Sequence, residues 1–291
     1  MTFAYRFDII PLAVADVAHL VERHLAKVEV ASSSLVIRSN KNLLLCRRFF
    51  HFIGGNNMQR YYAGDNIINC RDLGGYVCRG GVTSFGKALR AGVLRDPSEK
   101  DLANLRSFGV KTVIDLRGIE EANDMPSYFK NNPEFDYHHI TLLEANPAMA
   151  KSDLSMAELY KLCLSDYSEN FAKVLHIIAS LNAPFMFHCF CGKDRTGMLA
   201  ALLLSAAGVC REDIIADYEV SYTYIKPFIE REIRNNSGLI WDGAYERFYS
   251  PGENMAQILD FIEEKFGGAE GYFRKIGLAE TEIEALRTKL L

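Results

Sequence analysis

His188-Cys189-Phe190-Cys191-Gly192-Lys193-Asp194-Arg195-Thr196-Gly197 is the stretch on which the reading of this chain turns. A cysteine, five residues, then an arginine and a hydroxyl residue make a compact anion site with a nucleophile inside it. The preceding Pro184-Phe185-Met186-Phe187 reads as a short buried strand bounded by proline. The apolar run from Gly197 to Gly208 reads as a buried helix closed by a glycine. The ten residues therefore lie on a strand-to-helix turn. There, backbone N–H groups converge and the positive end of a helix dipole faces whatever binds.

A cysteine at a helix N-terminus beside an arginine is expected to react as a thiolate. The same amides, and the planar fork of Arg195, suit a phosphate dianion. The implied reaction is attack by Cys189 on phosphorus to give a cysteinyl-phosphate, which water then hydrolyses. Arg195 and the loop from Phe190 through Cys191, Gly192 and Lys193 stabilise charge on the equatorial oxygens. Thr196 is expected to donate a hydrogen bond to the sulfur and ease its departure. Asp194 is the first choice as general acid, with Asp72, Asp115 and Glu144 as rivals from other loops. Lys193 adds a cation at the rim, suited to substrates with more than one phosphate, such as inositol lipids. Fixed cationic and N–H groups already supply the electrostatics, so no metal and no cofactor is expected. His188, Cys189 and Cys191 lack the second ligand pair a zinc site needs.

His188 to Gly197 resembles the HCxxGKDRTG signature of a bacterial and fungal tyrosine-phosphatase family, the PtpB-like and LipA-like group. Its members act on phosphotyrosine and on phosphoinositides. Asn69-Cys70-Arg71-Asp72-Leu73-Gly74-Gly75-Tyr76 resembles that family's N-terminal motif, with Cys70 replacing the usual aromatic residue. Val113-Ile114-Asp115-Leu116-Arg117 is similar to its DLR strand. Ala216-Asp217-Tyr218 is similar to the helix after the catalytic loop. Gly267 to Phe273 is similar to its C-terminal glycine turn. The resemblance implies Cys189 as nucleophile, Arg195 as phosphate clamp and Asp194 as acid. It also implies an α/β phosphatase fold with a mostly parallel central sheet of about four strands flanked by helices. The chain departs from some relatives in having no clear aspartate after the third strand, where Glu144 is the nearest carboxylate.

Structural readings stand beside these. Cys191 is expected to fill space in the loop; the alternative is a reversible disulfide with Cys189, with Cys70 as a competing partner. His188 is expected to hydrogen-bond the loop from beneath. Asn69, Arg71 and Asp72 read either as a plain turn or as a group bracing the phosphate loop. Asp115 and Arg117 are expected to form a salt bridge. Tyr218 and Tyr222 fall four apart on one expected helix face. His138 and His139 read as strand residues without an obvious partner.

At 291 residues, 49% hydrophobic and 24% charged, the chain has ample length for a large core. A net charge of −4 gives no support for nucleic-acid binding. Seven cysteines without a regular framework fit a reducing compartment, so a cytoplasmic location is expected, with export into a host left open. No apolar run reaches the length of an integral membrane span. Residues 1–57 match none of the family segments and are expected to form an extension, with Met58 as a candidate start, ahead of a catalytic domain over 58–291. From Ile67 onward strand and helix signals alternate, as in an α/β layer fold. Strands are expected at 87–94, 111–116, 137–141 and 184–187. Helices are expected at 98–106, 155–164, 168–180, 197–207, 212–224, 226–234, 253–266 and 279–290.

The reading is therefore a phosphomonoesterase whose partner is a phosphotyrosine protein or a phosphoinositide. Rival readings are a phosphoinositide phosphatase as main activity, a non-catalytic phospho-ligand module, and arsenate reduction or sulfur transfer on the same cysteine–arginine spacing. Oligomeric state is left open.

Overall fold

The computed structural model describes residues 60–62, 64–144, 154–235 and 245–291. The chain divides into two units, Met1–Gln59 and Arg60–Leu291, and everything below concerns the second. The expectations for residues 1–57 and for Met58 lie outside the described residues.

The strands are β1 (Arg71–Asp72), β2 (Val77–Cys78), β3 (Gly81–Val82), β4 (Ala88–Ala91), β5 (Thr112–Asp115), β6 (Asp136–His139) and β7 (Phe185–His188). β2 and β3 pair as a separate hairpin; the others form one sheet in the order β1-β4-β7-β5-β6. The four strands from β4 to β6 run parallel, and β1 adds an antiparallel fifth at one edge. The expected mostly parallel sheet is present, one short strand wider. Its register sets the site: Ala91 and Asp115 both pair with His188. Three chain segments thus leave the sheet together at its carboxyl edge, where ligands of open parallel sheets sit.

Alternation along the strands divides the core between two faces. Phe185, Phe187, Ile114 and Ala88 face one cluster, while Met186, Val113 and Leu89 face the other. The second face is covered by α1 (Glu99–Phe108), which starts in a Ser98–Asp101 capping box and stops at Gly109. A short α2 (Ile119–Asp124) follows β5. The first face carries α3 (Met156–Asp166), α4 (Ser168–Ser180) and α5 (Asp194–Ala206). α5 is buried nearly all round, as its run of alanine and leucine foretells. Beyond it come α6 (Arg211–Glu219), α7 (Ser221–Arg234), α8 (Gly252–Phe266), α9 (Ala269–Lys275) and α10 (Glu280–Thr288).

The structure moves one expected break. The break expected between Tyr224 and Lys226 falls instead at Val220, and Pro227 lies inside α7. The cause is tertiary. The Ser250 hydroxyl donates to the Glu219 carbonyl (2.7 Å) and accepts from the Tyr222 amide (3.0 Å). That side chain takes over ladder bonds at the junction. Tyr218 and Tyr222 therefore belong to different helices. A short helix the sequence reading did not expect, α9, lies between the expected helices at 253–266 and 279–290.

Candidate active site

Cys189 follows β7 directly, and Asp194 opens α5. The four peptides between them are shaped from below. The Phe190 carbonyl accepts from the Val93 amide (2.9 Å). Asn69 Nδ2 donates to the carbonyls of Cys191 (3.1 Å) and Gly192 (2.9 Å). Arg90 Nη2 also donates to the Gly192 carbonyl (2.8 Å). The Lys193 carbonyl accepts from the Gly197 amide (2.7 Å). In a trans peptide the carbonyl and the next N–H point in opposite directions. Holding these four carbonyls beneath the loop therefore turns the amides of Cys191, Gly192, Lys193 and Asp194 to the other side, at the positive end of α5.

Two glycines permit this packing. Gly192 has φ +68°, and a Cβ there would lie 2.4 Å from the Ala91 carbonyl carbon. A Cβ on Gly92 would lie 2.8 Å from the Phe190 carbonyl oxygen. The loops after β4 and β7 thus meet backbone to backbone, which only glycine allows.

The brace beneath is a closed polar network. Asn69 itself is left-handed (φ +54°), a conformation asparagine tolerates better than most residues. Its Oδ1 accepts from Arg71 Nη1. Arg71 Nη2 reaches the Asp217 carbonyl (2.8 Å) and Ser221 Oγ (3.2 Å). Asp217 accepts from Arg90 Nη1 through Oδ2 and from the Tyr76 hydroxyl through Oδ1 (2.9 Å). Burial pushes the Asp217 carboxyl up, but Arg90, Arg71 and Tyr76 outweigh it and hold it down to about 2. A second pair lies at the end of β5, where Arg117 Nη2 donates to Asp115 Oδ2 (2.6 Å) and Tyr137 adds its hydroxyl (2.7 Å). Burial pushes the Asp115 carboxyl up; His188, Arg117 and Tyr137 pull it well below the usual carboxylate range. His188 Nδ1 approaches the Cys189 carbonyl (3.2 Å), and burial pushes its pKa down against the opposing pull of Asp115.

The side chains around the mouth are held differently. Arg195 lies within electrostatic reach of Cys189. Its end-on face grips Glu121, Nη1 to Oε2 and Nη2 to Oε1 (2.9 Å), and Nη1 also reaches the Leu143 carbonyl (3.2 Å). A guanidinium carries five N–H groups. Among the described residues these contacts use three, leaving Nε–H and the adjacent Nη2 N–H as a second parallel fork. Asp194 Oδ1 accepts from the Tyr160 hydroxyl and lies 3.2 Å from Lys193 Nζ.

Asn69, Arg71, His188, Asp194 and Arg195 thus meet where the sequence placed them. Several expectations change. Asp72 does not touch the loop; its carboxylate bridges the amides of Gly74 and Gly86 (2.8 Å each), and burial pushes its pKa up to about 7. Glu144 caps α2 at the Ile119 amide (3.2 Å). Asp115 is committed to Arg117. The Lys193 ammonium is buried rather than at the rim, donating to the carbonyls of Arg247 and Tyr249 (3.0 Å to the latter). Among the described residues the buried Thr196 hydroxyl has no hydrogen-bond partner, the Cys189 sulfur included. Phe190 packs on Phe228, and Cys191 is buried beside Ile225 and Ile229. Burial pushes the thiols of Cys191 and Cys70 up, so neither is a ready thiolate. His138 and His139 do find partners, in Asp136 (2.9 Å) and the Arg117 carbonyl (2.9 Å).

Glu121, Arg90 and Tyr160 were missed. A lone arginine in the apolar run from Lys87 to Leu94 was a readable signal for Arg90, because buried charges are paired. Glu121 follows Glu120 with nothing to separate them, and Tyr160 is one aromatic among many.

Comparison with known proteins adds the remaining fact. The chain is 31% identical over 228 residues to a tyrosine-protein phosphatase of Nostoc commune, covering 73% of this chain and 77% of that one. It is 33% identical over 243 residues to a putative tyrosine-protein phosphatase of Cupriavidus necator, covering 77% and 86%. It is 25% identical over 251 residues to the triple specificity protein phosphatase PtpB of Mycobacterium tuberculosis, covering 71% and 91%. Residues 63–291 match the model of the tyrosine phosphatase family, and the chain belongs to that family.

Proposed function

We propose that this phosphatase hydrolyses phosphotyrosine in proteins through Cys189. The observation that carries the reading is the loop itself. Four amides are turned to one side at the start of α5, and the free fork of Arg195 lies within reach of the cysteine. A phosphate dianion seated there meets donors fixed before it arrives. Cys189 Sγ bonds to phosphorus as the phosphorus–oxygen ester bond breaks. The departing phenolate takes a proton from Asp194. Asp194 then takes a proton from water, which attacks phosphorus and releases phosphate and the thiolate.

The substrate assignment draws on the relatives' names. The family members acting on phosphoinositides make lipid substrates worth assaying, and the triple specificity name of one relative does the same for phosphoserine and phosphothreonine. The Lys193 side chain offers no second phosphate site, because it is tied to two carbonyls and Asp194. Among the described residues no helix is long and apolar enough to cross a membrane.

The test is phosphotyrosyl-peptide hydrolysis with binding measured in parallel. Cys189→Ser is expected to lose turnover by on the order of 10⁴-fold or more while retaining phosphopeptide binding. Arg195→Ala is expected to lose about 10²–10³-fold and to weaken binding as well. Normal turnover in either variant refutes the reading.

A further inference from the structure

We infer that Tyr160 is a positioning residue for the general acid: it fixes which oxygen of Asp194 carries the catalytic proton. The inference rests on Asp194 as that acid.

Tyr160 sits on α3, 1% exposed, and its hydroxyl meets Asp194 Oδ1. Lys193 Nζ meets the same oxygen from the loop (3.2 Å). Among the described residues, Oδ2 has no protein donor, and the Asp194 side chain is 34% exposed. The inner oxygen is therefore committed, and the outer one is open.

Hydrogen-bond arithmetic fixes the consequence. An ammonium has three donors and no acceptor. A proton on Oδ1 would face the Lys193 ammonium and would displace the hydrogen bond that Tyr160 donates there, so the acid form carries its proton on Oδ2. Tyr160 has one hydroxyl proton, and an ionised Oδ1 can only accept it. The Tyr160 oxygen must then accept from Tyr218, whose hydroxyl lies 2.8 Å away. The direction of donation runs from Tyr218 through Tyr160 to Asp194. A chain of buried donors with fixed polarity holds the carboxyl plane in place, and each link reinforces the next. The outer oxygen is thereby presented at a constant angle, which general acid catalysis requires.

The expected loss depends on the leaving group. A nitrophenolate departs without much help, whereas the phenolate of tyrosine needs the proton. Tyr160→Phe keeps the ring in the core and removes one hydroxyl. We expect kcat on phenyl phosphate to fall about tenfold or more and kcat on p-nitrophenyl phosphate to fall less than about threefold. KM should be unchanged for both. Tyr218→Phe should give a weaker version of the same split. It guards against a Tyr160 variant that folds poorly, and thermal melts accompany both. In an Asp194→Asn background, Tyr160→Phe should add nothing further. An equal loss on both substrates, a loss confined to KM, or full additivity with Asp194→Asn overturns the inference. Asp194→Asn alone separates the two failures. If it shows no leaving-group split, the acid assignment itself is wrong. If it shows the split and both tyrosine variants do not, only the role of Tyr160 is wrong.

Discussion

Two guanidinium–carboxylate pairs flank the phosphate loop, and they differ in what surrounds them. Beneath it, Arg90 and Asp217 are almost wholly buried, and Arg71, Tyr76, Asn69 and Ser221 complete their network. At the mouth, Arg195 meets Glu121, whose side chain is 22% exposed, and among the described residues it keeps one fork unspent. A buried pair that loses one partner leaves an uncompensated charge, whereas a pair open to water can exchange partners. The lower pair therefore fixes the shape of the loop, and the upper pair can admit a ligand.

Removing the lower carboxylate should break the contrast most severely. Asp217→Asn leaves Arg71 and Arg90 facing each other without their anion. A loss of about 3–5 kcal/mol in unfolding free energy is expected, read by denaturant melts. Turnover should fall with it, since Gly192 loses the positioned Arg90 donor. A melt within error of wild type would show that the network does not hold the loop.

Acid should reach the same network without mutation. The carboxyls of Asp217 and Asp115 are depressed in the folded state, so their contribution is full above the ordinary carboxylate pKa and is lost as pH falls through the folded value. For Asp217 the window runs from about 4 to about 2, for a loss on the order of 2 kcal/mol. Between pH 7 and 4 two groups oppose each other. His188, depressed by burial, costs stability as it is forced to protonate. Asp72, raised to about 7, contributes stability as it protonates. Melting temperature should thus stay nearly flat from pH 7 to 4 and drop below it. A drop already complete by pH 5 would place the acid-sensitive groups elsewhere.

The mouth should respond in the opposite sense. Glu121→Gln keeps an acceptor and removes the charge that orients Arg195. kcat/KM should fall about tenfold, because a pre-set fork becomes a mobile one, with little change in melting temperature. If Glu121→Gln instead destabilised as much as Asp217→Asn, the two pairs would be equivalent and the comparison would fail.

The sequence reached far because its strongest signals are local. The boundaries of α1 follow from Ser98, Asp101 and Gly109, three residues whose capping geometry needs nothing beyond their neighbours. The strand–loop–helix around Cys189 is equally self-contained, as is the apolar run that buries α5. The residues that failed to show themselves act at long range. Glu121 and Arg195 are 74 positions apart, Tyr160 and Asp194 are 34 apart, and Asn69 reaches a carbonyl 123 positions away. Asp72, expected to brace the loop, bridges a turn instead, and the two roles look alike in sequence because they need the same carboxylate.

What the chain disclosed unaided was the strand–loop–helix that carries Cys189 and Arg195 and the α/β layering, because a motif and a hydrophobic period are written in neighbouring residues. What waited for three dimensions was the holding of each polar side chain: the carbonyls pinned below the loop, the committed ammonium of Lys193, the tyrosine behind the acid. Those assignments depend on which donors and acceptors the packed sheet and helices bring within 3 Å, and burial makes every one of them obligatory.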